Sequence, residues 1–231
     1  MEKDSSSSSK MQGRIQISWR RVLMSLFGVI ICAIAVGFFK MAALGVDPFQ
    51  SLMSGLDQLI PIPFGTLYVI VNVILLAFSL IFNRHNIGIA TFINLFLLGY
   101  ITQFTLELLQ GWIPDPGIGL RAAFLVIGIV VICIGSALYM TADLGVSTYD
   151  SVAITMAHKW KWGKFQYIRI ATDLVCVILG ITVFLIGGGG WEQVPEIVGI
   201  GTIITAFFMG PLIEFFNVHV ARPMLKENHG S

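Results

Sequence analysis

The stretch Ala-Leu-Gly-Val-Asp-Pro-Phe-Gln-Ser at residues 43–51 recurs as Asp-Leu-Gly-Val-Ser-Thr-Tyr-Asp-Ser at residues 143–151. Leu, Gly, Val and the final Ser match at an offset of 100 residues. Self-similarity at a fixed distance is the sequence signature of an internal repeat. The two stretches therefore predict that the chain contains two diverged copies of one structural unit.

Both stretches also predict the start of a short helix. Asp47 and Ser147 suit the N-cap position, and Gln50 and Asp150 follow three residues later, which completes a capping box in each copy. Pro48 suits the first helical position. Gly45 and Gly145, the shared glycines, come two residues before these N-caps, and we expect both to shape the turn into the helix.

Two further blocks recur in the same order. Residues 87–91, Ile-Gly-Ile-Ala-Thr, return as Val-Gly-Ile-Gly-Thr at residues 198–202, with an offset of 111. A third block matches at an offset of 101. Three blocks in one order favour a duplication over chance. The pairs that coincide in the two later blocks are Phe64 with Phe165, Asn72 with Asp173, Gly99 with Gly210 and Gln103 with Glu214.

Long apolar runs place the chain in a membrane. Hydrophobic residues make up 56% of the sequence and charged residues only 12%, about half the usual share in a globular protein. A helix needs roughly 20 apolar residues to cross the hydrocarbon core. The runs that approach this length are residues 22–39, 62–83, 86–106, 122–142 and 174–191, with a shorter one at 197–213. The predicted fold is an all-α, polytopic membrane helical bundle.

The sequence leaves two topologies open. If the short helices do not cross the membrane, each copy has three long spans plus one short amphipathic helix, and the copies are inverted. If they cross, the protein has eight spans in parallel copies. Six spans are preferred because the short helices reach only about 20 Å and carry a polar face that is costly against lipid.

In the six-span topology the chain has four predicted parts. Residues 1–20 form a disordered cytoplasmic tail, residues 21–112 the first membrane repeat, residues 121–217 the second, and residues 218–231 a cytoplasmic C-terminal tail. Basic residues near both termini place the termini in the cytoplasm by the positive-inside rule. Lys40, near the end of the first run, is expected to extend to the membrane surface.

The same blocks resemble a known family. The Leu-Gly-Val-Asp-Pro-Phe stretch is similar to the Gly-Ile-Ser-Pro-Trp signature of the YczE/YyaS/YitT family of bacterial integral membrane proteins. Residues 169–173 and 199–202 resemble later segments of that family. The chain departs from the pattern at Asp47, Phe49 and Thr148. The resemblance implies a bacterial membrane location and brings no substrate with it.

Several classes of function are disfavoured. A net charge of +1 gives no field that would attract nucleic acid. Cys32, Cys133 and Cys176 lie within apolar runs without paired spacing, so we expect neither a metal site nor a cofactor bound through them. Metalloprotease, Walker and dinucleotide-binding motifs are missing from the sequence. We therefore expect that the protein is not an enzyme.

Polar residues at membrane depth are the candidate ligand-binding residues, because a charge at the centre of a span costs about 2.5–3.5 kcal/mol. Asp173 is the leading candidate, and Arg169, one turn earlier, is within reach of an ion pair. Asn72 takes the position of Asp173 in the first copy, and we expect it to hydrogen-bond across a helix interface. For each residue the alternative is a purely structural role in holding the bundle together.

The short helices offer a second group of candidates. A helix N-terminus presents free N–H groups, so two of them at one cavity would hold a polar ligand. The candidates here are Asp47, Ser147 and Asp150. Because Asp47 and Asp150 already satisfy those N–H groups, the alternative is that they only start the helices. Tyr149 is a candidate for an aromatic site that binds a cation, and the alternative for it is a place in the interfacial belt of aromatic residues.

Two functions remain open at this stage. In the first, the protein is a transporter that carries an unidentified small solute or ion through a site between the two repeats. In the second, it is a non-transporting accessory protein that binds another membrane component. Apart from the lipid bilayer, the sequence names no partner, and it leaves the oligomeric state open.

Overall fold

We describe the protein in a computed structural model that covers residues 18–163 and 165–226. All regular structure in these ranges is helical, which confirms the all-α prediction. Short turns at Arg84–Asn86 and Trp191–Gln193 link helices, and π turns at Thr155–Lys159 and Asn217–Ala221 extend α6 and α9. The helices are α1 (Trp19–Ala42), α2 (Pro48–Leu59), α3 (Phe64–Phe82), α4 (Ile89–Trp112), α5 (Ile118–Ala142), α6 (Thr148–Ile154), α7 (Phe165–Ile186), α8 (Val194–Ile197), α9 (Ile200–Phe216) and α10 (Arg222–Lys226).

Six helical segments are long and apolar enough to cross a membrane. They are α1, α3, α4, α5, the part of α7 at Tyr167–Ile186, and the segment Trp191–Leu225 that contains α9. With 12 residues, α2 reaches only about 18 Å and is too short to span the bilayer. Six long apolar helices are therefore confirmed.

The predicted tails lie mostly outside the described residues, which begin at residue 18 and end at residue 226. The boundaries differ slightly from the prediction within the described part. Trp19 and Arg20 already belong to α1, and the helix that follows α9 continues through α10 instead of ending at residue 217.

The centre of the fold is an antiparallel pair made by α1 and α5. Close contacts along the pair recur at heptad spacing, which is the spacing of left-handed, coiled-coil-like packing. Small residues at these positions let the two backbones approach. The pairs in contact are Arg21 with Ala142, Gly28 with Gly135, Ala35 with Gly128, and Ala42 with Arg121.

The two arginines of this pair stabilise the helix ends. Arg21 Nη1 donates a hydrogen bond to the carbonyl oxygen of Ala142 at 3.0 Å, and Arg121 Nε donates to that of Ala42 at 2.9 Å. The last carbonyls of a helix have no partner within it, and a cation there also interacts favourably with the helix dipole. Each central helix is therefore capped at its C-terminus by the other.

Helices α3 and α4 complete the first half of the bundle, which consists of α1–α4. The second half consists of α5–α10. α4 runs parallel to α1, because Thr102 Oγ1 donates to the Ala33 carbonyl at 3.1 Å and Gly37 packs one turn later on Thr105. α3 runs antiparallel to α4. The contacts that fix its direction are Gly65 with Gln103, Tyr68 with Gly99, and Tyr68 with Asn94.

The short helices run alongside long helices of the other half. α2 is parallel to α7, and α6 with its π turn is parallel to α3. The contacts that fix these directions are Ser51 with Gly180 and Leu59 with Gly187 for α2, and Thr148 with Asn72 and Lys159 with Phe82 for α6.

The depth of α2 follows from its contacts with α1. Near the end of α2, Asp57 lies 3.9 Å from Lys40, which is in the last turn of α1. At its start, Asp47 lines a cavity together with Cys32, near the middle of α1. The chain therefore turns back after α1, and α2 begins inside the bundle and ends where α1 ends.

At two places, the extended segment before a short helix forms backbone hydrogen bonds to the start of a long helix in the other half. Gly201 N donates to the Leu44 carbonyl at 2.8 Å, and Ala90 N donates to the Leu144 carbonyl at 3.0 Å. Gly45 and Gly145 lie in these segments with φ of +96° and +115°, where a side chain would be strained. A Cβ at either position would also come within 2.5 Å of a backbone nitrogen of the facing segment.

The two halves differ in how tightly their outer helices pack. In the first half, a Cβ built at Gly99 of α4 would lie 2.6 Å from the Tyr68 Cβ of α3. In the second half, α7 and α9 make almost no contact among the described residues, and a Cβ at Gly210 would meet no atom within 4 Å. A gap therefore separates α7 from α9 at the level where α3 and α4 touch.

Candidate functional site

The charged centre of the site lies between α6 and α7. Arg169 pairs with Asp150 through Nη1 and with Asp173 through Nε, the latter at 3.2 Å from Oδ1. Tyr149 donates a hydrogen bond from its hydroxyl to Asp173 at 2.6 Å. The guanidinium carbon also lies 4.6 Å from the centroid of the Tyr149 ring, within cation–π distance.

This geometry confirms the predicted pairing of Arg169 with Asp173 and adds a second carboxylate that sequence spacing did not indicate. Asp150 comes from the short helix α6, and only the packing of α6 against α7 brings it to Arg169. The three side chains keep 17–32% of their surface exposed, so they border open space. Because one guanidinium faces two carboxylates, the cluster has a net charge of −1.

Both predicted N-caps are confirmed, but the prediction of complete capping boxes is wrong. Among the described residues Gln50 Oε1 has no partner, and the Asp150 carboxylate bonds to the Ser147 hydroxyl and to Arg169 instead of the N-cap backbone N–H. Asp47 Oδ1 accepts a hydrogen bond from Gln50 N at 3.3 Å, and Ser147 Oγ accepts one from Asp150 N at 3.0 Å. Ser147 also donates to Asp150 Oδ2 at 2.7 Å, which holds that carboxylate towards Arg169. Pro48 occupies the first helical position as expected. The first turns of both short helices are therefore fixed at the middle of the bundle.

Asn72 makes the cross-helix hydrogen bond that its position predicted. Its Oδ1 accepts from Thr148 Oγ1, which joins α3 to the start of α6. Its Nδ2 donates to the Tyr68 carbonyl at 2.8 Å. With only 1% of its surface exposed and both polar atoms engaged, Asn72 holds the wall of the site in place.

Aromatic rings form the floor between the two short helices. Phe49 of α2 stacks on Tyr149 of α6 with ring centroids 4.9 Å apart, and Tyr68 of α3 meets Phe49 edge-on at 6.0 Å. Offset and edge-to-face contacts of this kind add about 0.5–1.5 kcal/mol each beyond burial. The first turns of α2 and α6 are thus joined by packing that excludes lipid from the centre.

Two adjoining cavities contain these groups. The smaller, of about 130 Å³, lies at the starts of α2 and α6 against α1 and α5. The larger, of about 400 Å³, fills the gap between α7 and α9. The two share Asp47, Asp150 and Arg169 in their walls. Seven candidate residues from the sequence line one or both cavities: Asp47, Asn72, Ser147, Tyr149, Asp150, Arg169 and Asp173.

The larger cavity extends towards one end of the bundle. Its lining includes Met140 and Asp143 at the end of α5 and Ile213 near the end of α9. α9 runs parallel to α5, because Gly201 approaches Leu125 and the π turn after α9 approaches the last turn of α5. The cavity therefore leads from the centre to the end at which α5 and α9 finish and α1 begins.

Two polar residues of the site were not predicted from the sequence. Gln50 was assigned only to a capping box, and Tyr139 only to an apolar run. Both line the smaller cavity with 4% and 7% of their surface exposed, and neither Gln50 Oε1 nor the Tyr139 hydroxyl has a hydrogen-bond partner. A tyrosine late in a membrane span was the available signal, but its direction depends on packing.

The expectation for Lys40 is wrong. The side chain is only 10% exposed, pairs with Asp57 at 3.9 Å, and has its ammonium 3.3 Å from the centroid of the Phe64 ring. It points inward because α2 turns back beside α1 and offers it a carboxylate. The pair therefore ties α2 to the end of α1.

No cluster of metal-ligating side chains occurs among the described residues. The three cysteines are buried, unpaired thiols, and Cys32 and Cys176 contact hydroxyl groups near the site. The polar groups of the site are thus carboxylates, one guanidinium, hydroxyls and amides, all of which form hydrogen bonds or ion pairs.

Comparison with known proteins finds three similar bacterial proteins. The chain is 24% identical over 205 residues to an uncharacterized protein of Haemophilus influenzae, which covers 88% of this chain and 86% of that protein. It is 26% identical to the uncharacterized membrane protein YczE of Bacillus subtilis, over 81% of each chain. It is 24% identical to the uncharacterized protein YyaS of Bacillus subtilis, over 87% of this chain and 94% of the other.

No solved structure matches the chain. The similarity to YczE and YyaS confirms the family resemblance seen in the sequence. A family model described as a family of unknown function, DUF6198, matches residues 19–218. This membrane protein therefore belongs to the DUF6198 family.

Proposed function

We propose that the protein is a carrier that moves a small polar solute or ion across the membrane through the site between its two halves. The observation that carries this proposal is the difference between those halves. α3 and α4 touch at Tyr68 and Gly99, whereas α7 and α9 stand apart around Gly210 and enclose a cavity of about 400 Å³.

The difference in packing between α3–α4 and α7–α9 bears on transport if the two halves are inverted repeats. At the offsets found in the sequence, Gly99 corresponds to Gly210 and Tyr68 to Arg169. One structure then contains the same helix pair in a closed and an open arrangement. Exchange of the two arrangements would open the site to the opposite side of the membrane, which is how carriers with inverted repeats alternate access.

The arrangement of helices supports inversion. α1 and α5 are antiparallel, and α3 and α4 are the long helices between them. With two long helices between them, α5 starts on the side of the membrane where α1 ends, and this supports six spans. In the eight-span alternative three helices would lie between α1 and α5, and the two would be parallel. The contacts between the halves are reciprocal. Each half caps a helix of the other with an arginine, and the Leu44 and Leu144 carbonyls each accept a hydrogen bond from the other half, as a twofold axis in the membrane plane requires.

The distribution of charge supports a cytoplasmic location of the open end. The end at which α1 begins carries a set of basic residues, and the opposite end is richer in acidic ones. By the positive-inside rule the basic end is expected to face the cytoplasm. We therefore propose that the protein lies in the cytoplasmic membrane with the start of α1 and the end of α10 on the cytoplasmic side. The basic residues are Arg20, Arg21, Arg84, Lys159, Lys161 and Arg222, and the acidic ones are Asp57, Glu107, Asp115, Glu192 and Glu196.

Cysteine labelling tests the proposal without a known substrate. Met209 lines both cavities, and Leu98, which corresponds to it in the first half, lines only the smaller one. In a cysteine-free background we expect Met209→Cys to react with an impermeant maleimide from the cytoplasmic side. Leu98→Cys should react more slowly and only from the outside.

The controls are cysteines at Phe96 and Phe208, which lie two and one positions away and face outward. Buried in lipid, they should not react from either side. If the cysteine at position 98 never reacts from the outside while that at 209 reacts from the cytoplasm, the site opens on one side only. That result would favour the accessory membrane protein over the carrier.

A further inference from the structure

The smaller cavity contains hydrogen-bonding atoms that the protein does not satisfy. Gln50 and Tyr139 line it, and both residues are more than nine-tenths buried, including Gln50 Oε1 and the Tyr139 hydroxyl. Neither atom has a partner in the described protein. Buried polar groups without a partner cost about 1–3 kcal/mol each, so a ligand or water that donates hydrogen bonds to them at this cavity would be favoured.

The charge at this cavity is negative. Asp47, Asp150 and Arg169 line it, and Arg169 is engaged with Asp150 and with Asp173 outside it. Asp47 has no ion pair among the described residues, and the hydrogen bond found for its side chain comes from Gln50 N. One carboxylate at the middle of the bundle therefore has no direct ion pair among the described residues.

An anion does not fit this arrangement. The N-terminal N–H groups of α2 and α6 would attract one, but Asp47 and Ser147 already accept hydrogen bonds from them. The guanidinium of Arg169 is neutralised by its two carboxylates. Both positive elements of the site are thus occupied by groups of the protein itself.

The other side chains that line the smaller cavity favour an organic cation over a metal ion. Phe49, Tyr68 and Tyr149 present rings, and Val36 and Ile132 present aliphatic carbon. A bare metal ion would find too few oxygen ligands among these side chains, since hard cations need about six. An ammonium group on a short carbon chain matches the carboxylate, the two unsatisfied oxygens and the apolar wall together.

We propose that the smaller cavity binds a small organic cation with N–H donors, of the alkylammonium class, between Asp47, Gln50 and Tyr139. The inference deepens the proposed function and rests on it, because it names the class of solute that the carrier would take. The ammonium group donates to Asp47, Gln50 Oε1 and the Tyr139 oxygen, and its carbon chain lies against the aromatic floor.

Binding is measured on the full chain purified in detergent, with ethylammonium chloride as the probe. We expect titration calorimetry to show saturable binding of ethylammonium, and none of tetramethylammonium, which has no N–H donor, or of sodium. Asp47→Asn keeps an N-cap acceptor but removes the charge. It should weaken binding about tenfold to a hundredfold with little change in thermal stability.

Gln50→Met provides a second variant of similar size that leaves the charge in place, and it should weaken binding by a smaller factor. Asp115→Asn, an exposed carboxylate in the loop after α4, is the matched control and should bind as the unchanged protein does. If ethylammonium does not bind, or binds equally well to Asp47→Asn, the proposal is wrong and water alone satisfies the two oxygens.

The outcome separates this inference from the proposed function. Two-sided labelling at positions 98 and 209 without ethylammonium binding would keep the carrier and reject the solute class. Binding that depends on Asp47, with labelling from one side only, would keep the site and reject transport. Saturating ethylammonium should in addition slow maleimide labelling of Met209→Cys if both proposals hold.

Discussion

A matched pair of glycine substitutions tests whether the two halves exchange their arrangements. Gly99→Ala introduces a Cβ that lies 2.6 Å from the Tyr68 Cβ and 2.9 Å from its Cγ. Carbon atoms in contact prefer about 3.5–4.0 Å, so α3 and α4 must separate by roughly 1 Å. Overpacking of this kind costs about 1–3 kcal/mol. We expect Gly99→Ala to lower the melting temperature of the purified protein.

Gly210→Ala should behave differently, because its Cβ meets no atom within 4 Å. Alanine has a helix propensity up to about 1 kcal/mol better than glycine, but Pro211 follows and disfavours the helical conformation of a residue that has a Cβ. The stability of the observed conformation should therefore change little. In the exchanged conformation α7 and α9 would pack as α3 and α4 do here. The same clash of about 1–3 kcal/mol would then reduce its population about 5- to 150-fold.

The assay combines thermal unfolding, followed by tryptophan fluorescence in detergent, with the rate of maleimide labelling of Leu98→Cys from the outside. Gly210→Ala should change the melting temperature little and slow that labelling by the factor above. Gly99→Ala should lower the melting temperature and accelerate the labelling of Leu98→Cys. If Gly210→Ala leaves the labelling rate at position 98 unchanged, α7 and α9 do not close against each other and the exchange does not occur.

Three further predictions concern the ion pairs, and thermal or denaturant unfolding in detergent checks each. Arg169→Gln should cost about 3 kcal/mol because it leaves two carboxylates together, whereas Asp173→Asn should cost less because Asp150 still pairs with the arginine; equal losses would contradict the shared pairing. Asp57→Leu should destabilise more than Lys40→Met, because the lysine is 10% exposed and the aspartate 37%; the opposite order would show that the lysine reaches water. Arg21→Gln should cost about 1.5–3 kcal/mol through the lost bond to the last carbonyls of α5, and an unchanged stability would show that water replaces it.

Local features of the fold were predictable from the sequence because they depend on neighbouring residues. The N-caps at Asp47 and Ser147 and the pairing of Arg169 with Asp173 involve residues three or four positions apart, where helix geometry alone sets the distance. The six long helices follow from apolar length in the same way. Asn72 was also expected to bond across an interface, although the sequence did not indicate its partner.

Features that depend on how distant helices pack were not predictable. Asp150 reaches Arg169 only because α6 lies beside α7, and Lys40 is buried only because α2 turns back along α1. The direction of the Tyr139 hydroxyl depends on the pairing of α5 with α1. Charge counting did not separate the two topologies, since they differ only in the sides assigned to Arg84 and Arg121.

The crossed arginine caps have a consequence for how the protein is made. When α1 enters the bilayer, the helix that supplies Arg121 to its last carbonyls has not yet been synthesised. The central pair therefore forms only after α5 is inserted, and the membrane-inserted first half waits with an uncapped helix end. Because the caps come from opposite halves, a chain cut in the loop between α4 and α5 should still assemble when both pieces are produced together. Either piece produced alone should be degraded.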